Sequence, residues 1–122
     1  MAQSATVLAY AGCSTCKNAL KWLDAKGVPY AVRAIVDAPP TASELAAWVP
    51  ASGLSVRKWL NTSGQSYRAI GKEKVDRASD AEIQGWLTKD GKLVKRPVLV
   101  VAGGAKVLVG FRPEAYEAVF GG

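Results

Sequence analysis

The 122-residue chain has no histidine, one methionine and only two cysteines. Without histidine there can be no Cys–His or Ser–His catalytic pair and no histidine-containing zinc site. Two thiolates alone leave a zinc site half built, because such sites take about four ligands. No metal and no bound cofactor are therefore expected. No apolar run approaches the roughly 20 residues that cross a bilayer. The opening MAQSATVLAY lacks the basic start and apolar h-region of a secretory leader. The expectation is a cytoplasmic, monomeric protein without membrane contact. Basic blocks are missing too: the sixteen Lys and Arg are scattered, although the net charge is +6. That balance favours anionic partners or a merely solvated basic surface. No nucleic-acid motif and no basic–aromatic cluster accompanies it, so direct nucleic-acid binding is not expected.

What is present is ordinary globular composition, 49% hydrophobic and 21% charged, at the length of one domain with a real core. The run ATVLAY ends at a glycine and reads as a buried strand. A helix follows, capped by Ser14, with Ala19, Leu20, Trp22 and Leu23 on one face, and it stops at Gly27 before Pro29. PYAVRAIV reads as a second strand, and a crossover helix of this length makes the two strands parallel. Thr41 and Glu44 have capping-box spacing at the start of a further helix, as do Ser79 and Glu82. Between them GLSVRKWLN reads as a short helix and NTSGQSYR as a loop. RPVLVV and AKVLVGF form a hairpin across AGGA, and PEAYEAVF is a final helix with Pro113 in its first turn. Trp48, Trp59 and Trp86 are expected to pack the core. The order is β-α-β, a helical insertion over about 41–90, then β-β-α. This is a single-domain α/β thioredoxin-like order.

The chemistry centres on Cys13 and Cys16 in YAGCSTCKNALKWL. Random placement of two cysteines gives this spacing about one or two times in a hundred, so chance is a poor account of it. In a reducing compartment a close pair points to redox work rather than a structural staple. Cys13 falls at the end of the first strand and Cys16 in the first turn of the helix. There the N–H groups and the helix dipole lower a thiol from about 8.5 to somewhere between 3.5 and 7.5. Lys17 adds a neighbouring cation. Cys13 is thus the natural nucleophile, and Cys16, one turn on and partly shielded, the resolving thiol.

GCSTCKNALKWLDAKGVPY, PPTASEL, KWLNTSGQSYR, KRPVLV and VGFRPEAY, in this order, resemble the ArsC/Spx-type branch of the thioredoxin-fold proteins. The resemblance runs over nearly the whole chain. It implies Cys13 as nucleophile and arginines that hold an oxyanion, matched here by Arg96 and Arg112; a planar guanidinium suits that work. The resemblance puts a third arginine in the KWLN segment. Asn61 stands there instead, with Arg57 one turn earlier and Arg68 beyond the loop. Cys16 is a second departure from the glutaredoxin-linked arsenate reductases, whereas Spx-type regulators carry a CxxC switch. The resemblance, with these departures, therefore implies a thiol–disulfide oxidoreductase of the arsenate-reductase family with weak or absent arsenate activity, acting on a small oxyanion or a disulfide. Its electron donor would be glutathione, a glutaredoxin or a thioredoxin. The alternative is an Spx-like redox sensor that binds RNA polymerase. Pro97 is either an ordinary strand-start proline or the proline that faces the CxxC in thioredoxin folds, with its isomer left open.

Overall fold

The computed structural model describes residues 4–121; Met1 to Gln3 at the start of the leader reading, and Gly122, lie outside them. Four strands form one sheet in the order β2-β1-β3-β4. β1 (Ala5–Ala9) and β2 (Tyr30–Ala34) pair in parallel, joined by α1 (Ser14–Lys26). β3 (Val98–Val101) runs antiparallel to β1, with Val7 opposite Leu99, and β4 (Lys106–Val109) closes the hairpin with β3. α6 (Pro113–Phe120) ends the fold. Between β2 and β3 lie α2 (Ala42–Ser52), a 3-10 turn at Val56–Trp59, α3 (Gln65–Ile70), α4 (Lys72–Arg77) and α5 (Asp80–Lys89). No helix among the described residues is long and apolar enough to cross a membrane.

Strand alternation splits the core in two. Leu8, Val98 and Val100 face one side, where they meet Leu45, Trp48, Trp59, Ile83 and Leu87 of the helical insertion. Val7, Ala9, Leu99 and Val101 face the other, against Cys16, Ala19 and Leu23 of α1 and Tyr116 of α6. Trp48 and Trp59 are buried as expected, while Trp86 packs half-buried at the edge of the same core.

Both capping boxes form. Thr41 Oγ1 accepts from Glu44 N at 3.1 Å and Glu44 Oε1 accepts from Thr41 N at 2.9 Å. Ser79 and Glu82 repeat the pattern at 3.1 Å in each direction. Glu44 also takes a two-pronged ion pair from Arg33, at 2.7 and 2.8 Å, which ties the crossing segment to β2.

Three local expectations change. Cys13, not Ser14, is the N-cap of α1: its backbone is extended (φ −95°, ψ 115°) and its own sulfur accepts the capping hydrogen bond. The second half of NTSGQSYR is helical, because Tyr67 and Ile70 find apolar partners in the insertion core that override loop composition. α4 gave no sequence signal, since buried Val75 is its one apolar residue.

Gly91 marks the closest backbone approach. A Cβ there would lie 1.9 Å from the Ile35 carbonyl oxygen, so only glycine fits. Gly85, inside α5, has open space around the same atom. Urea unfolding should therefore separate them in sign. Gly91→Ala should cost about 3 kcal/mol through overpacking, whereas Gly85→Ala should stabilise by about 0.5–1 kcal/mol.

Candidate active site

α1 starts at the end of β1, and its buried stripe fixes the two thiols differently. Cys16, Ala19 and Leu23 recur at helical spacing and point into the core. Cys16 is 1% exposed. Cys13, one turn earlier at the cap, emerges partly exposed. The Cys16 N–H donates to Cys13 Sγ at 3.3 Å, a position in which a sulfur substitutes for the usual capping oxygen.

Their acidities diverge for physical reasons. Partial burial pushes the Cys13 thiol up, but the hydrogen bonds from Cys16 and the charge of the Arg96 guanidinium outweigh it, leaving Cys13 below the ordinary thiol range. For Cys16, burial dominates; even with the Tyr10 backbone N–H lowering it, the thiol is pushed up to about 12. One sulfur is thus a thiolate in waiting and the other a protonated core residue. The cation at Cys13 is Arg96. Lys17 is exposed and does not line the site.

Cys13 opens into a cavity of about 380 Å³ built from three further chain segments. The first carries Asn61 and Ser63. It is clamped to the 93–95 segment by an isolated antiparallel bridge, Asn61 N to Leu93 O at 2.8 Å and Lys95 N to Trp59 O at 2.7 Å. The second is Lys95-Arg96-Pro97, with a cis Arg96–Pro97 peptide bond. Gly110 N donates to Pro97 O at 2.8 Å, and this brings up the third segment, Gly110-Phe111-Arg112. Phe111 packs edge-on to Tyr116 at 4.8 Å, and the buried Tyr116 hydroxyl donates to Gly110 O at 3.3 Å. Lys95, Arg96 and Arg112 therefore ring the cavity, and no Asp or Glu among the described residues lines it. Ion pairs among the described residues use other cations, among them Arg33, Arg57 and Arg77. A larger depression of about 530 Å³ between α4 and α5 has mixed charge and no thiol.

Of the residues singled out in the sequence, Cys13, Arg96, Arg112 and Asn61 line one cavity. Pro97 is buried between two of its walls, and Cys16 lies in the core beneath Cys13. Arg57 does not join them. Its guanidinium donates to Val75 O and Ala78 O and faces Asp80 at 3.9 Å, stapling the α4–α5 corner. Arg68 also stays outside the cavity; it donates to Ser63 O at 3.0 Å and so braces the Asn61–Ser63 loop. Sequence reasoning missed Lys95, Ser63 and Thr15. Lys95 had a signal, its place beside Arg96 in KRP; the hydroxyls had none.

The ArsC family profile matches residues 8–119. The chain belongs to the ArsC family. It is 40% identical over 115 residues to the uncharacterized protein YusI of Bacillus subtilis, covering 93% of this chain and 96% of that one. An ArsC-family-related protein of Bacteroides fragilis superposes with a TM-score of 0.88 at 44% identity, covering 94% and 96% of the two chains. The arsenate reductase of Escherichia coli is 26% identical over 114 residues, 88% of this chain and 80% of its own. The thioredoxin-like α/β fold expected from the element order is thus the fold of this ArsC-family chain, with Cys13 and Cys16 adjacent at the head of α1.

The opposed acidities make a direct prediction. Brief iodoacetamide treatment at neutral pH, read by mass spectrometry, should label Cys13 and leave Cys16 unmodified in the folded protein. Raising the pH from 7 to 9 should increase the Cys13 rate less than it does for an ordinary thiol, because that group lies below the usual thiol range. Labelling of Cys16 should climb about tenfold per pH unit, because its thiolate fraction does so well below its pKa.

Proposed function

We propose that this protein is a thiol–disulfide oxidoreductase with Cys13 as nucleophile and Cys16 as resolving thiol. The observation that carries the reading is the pairing of a lowered Cys13 thiol with Arg96 in a cavity that no Asp or Glu lines among the described residues. The similarity to arsenate reductases supports the same reading. In the first step the Cys13 thiolate attacks one sulfur of a substrate disulfide, forming a mixed disulfide and expelling the other half as a thiolate. Cys16 then gives up its proton and attacks Cys13 Sγ, which closes the Cys13–Cys16 disulfide and expels the second half. Two equivalents of a thiol donor, such as glutathione, or one dithiol from a glutaredoxin or thioredoxin, restore the dithiol and leave as a disulfide. Arg96 stabilises the thiolate before attack, and Arg96, Lys95 and Arg112 hold any anionic group next to it.

The same cavity frames the arsenate question. An oxyanion transition state relies on preorganised donors, and loss of one commonly costs about 100- to 1,000-fold in rate. Asn61 lines the cavity with a neutral amide. Arg57, the nearest arginine in sequence, is engaged at the α4–α5 corner.

Turnover with arsenate and with a small disulfide, each with several thiol donors, tests the reading. Disulfide reduction should be measurable and should vanish in Cys13→Ser, with arsenate reduction at least 100-fold slower. Asn61→Arg should raise the arsenate rate. Sulfate, phosphate or arsenate should also protect Cys13 from alkylation in the wild-type protein. No disulfide turnover, or efficient arsenate turnover indifferent to Asn61→Arg, would contradict the assignment.

A further inference from the structure

The β3–β4 hairpin leaves one backbone acceptor without its ladder partner. Its register pairs Val98 with Val109, which sets Pro97 opposite Gly110 one step further along. In an antiparallel ladder such a pair exchanges two hydrogen bonds. Gly110 N donates to Pro97 O at 2.8 Å, but proline has no N–H with which to return the bond. The Gly110 carbonyl is therefore left over, in a buried residue where an unmet acceptor is costly.

Tyr116 answers it. Its hydroxyl donates to Gly110 O at 3.3 Å, and two further contacts engage the next two residues. The ring packs edge-on to Phe111 with centroids 4.8 Å apart. Tyr116 N donates to Arg112 O at 3.2 Å, closing the first turn of α6. One residue thus holds Gly110, Phe111 and Arg112, three consecutive residues that wall the Cys13 cavity. Tyr116 itself is fully buried, edge-on to Trp22 of α1 at 5.6 Å and in the same core cluster as Cys16. Burial pushes its phenol up, so the hydroxyl stays a donor. The wall leaves β4 at Gly110 with a φ of +84°, a conformation open to glycine. Arg112 follows as the N-cap of α6, yet its side chain makes no capping bond there.

Resting on the oxidoreductase reading, we propose that Tyr116 is a positioning residue: its hydroxyl replaces the N–H that Pro97 lacks, fixes the Gly110–Arg112 wall, and so presents Arg112 to an anionic group beside Cys13. The residue touches neither the reacting sulfur nor the anion. It acts through Arg112, which stands one helical turn before it. Cys13 keeps its own hydrogen bond from Cys16 N and its Arg96 neighbour, neither of which depends on this hydroxyl. Loss of the hydroxyl therefore falls on anion binding rather than on the thiol.

Protection of Cys13 from iodoacetamide by sulfate tests this, with each variant compared with its own sulfate-free rate. Tyr116→Phe keeps the ring against Phe111 and Trp22 and removes only the hydroxyl. It should raise the sulfate concentration that halves the rate by about five- to tenfold, as for one buried carbonyl left unmet. Arg112→Ala should weaken protection at least as much, and adding Tyr116→Phe to it should weaken protection no further, because both act through one side chain. Hydrogen exchange gives a readout without any anion: the Gly110 amide, held by Pro97 O, should exchange about tenfold faster in Tyr116→Phe. Unchanged protection in Tyr116→Phe, or a full further loss on top of Arg112→Ala, would overturn the positioning role while the oxidoreductase reading stands. Should sulfate fail to protect even the wild type, the anion-holding part of that reading fails. The Gly110 amide then decides for Tyr116: faster exchange supports it as the holder of the wall, and unchanged exchange overturns it.

Discussion

The 3.3 Å hydrogen bond from the Cys16 N–H to Cys13 Sγ organises the rest of the site. It exists because α1 begins where β1 ends, with Cys13 in an extended conformation at the cap. The three-residue spacing then sets the phase. Cys16 falls on the same stripe as Ala19 and Leu23 and is driven into the core, while its partner one turn earlier stays at the surface. Two chemically identical side chains acquire opposite acidities from this difference. Desolvation holds the Cys16 proton on, and donors plus a guanidinium draw the Cys13 proton off. Of the two thiols, only Cys13 is both partly exposed and lowered in acidity.

Around that sulfur the fold gathers cations from distant parts of the chain. The 93–95 clamp holds Asn61 across from Lys95, and the Gly110–Pro97 hydrogen bond brings Arg112 to the same space. The cavity beside Cys13 includes no Asp or Glu among the described residues, though the chain holds ten. The net charge of +6 thus has a local meaning in the structure: part of it is uncompensated positive charge beside Cys13. Arg96, one of these cations, lowers the Cys13 thiol.

How much of this was legible in the sequence follows from range. The β-α-β start, both capping boxes and the hairpin rest on contacts between near neighbours, and each formed as read. The role of Cys13 as its own cap was one residue away from the reading, because a hydroxyl at Ser14 is the commoner capping group. α3 and α4 escaped because their stability comes from Tyr67, Ile70 and Val75 seated on a core built by other segments. Arg57 shows the same limit at the site. Its spacing from Asn61 suggested a substitute cation, yet the open carbonyls at the α4–α5 corner claim its guanidinium.

The central claim is that environment, not residue type, lowers the Cys13 thiol and raises that of Cys16. Ultraviolet thiolate absorbance of the reduced protein, followed from acid to alkaline pH, measures it most directly. One thiolate should ionise below the ordinary thiol value of about 8.5, disappear in Cys13→Ser and move upward in Arg96→Gln. The second should remain protonated until the approach to pH 12. Two thiols ionising together near the ordinary value, or a low-pH step that survives Cys13→Ser, would contradict the account.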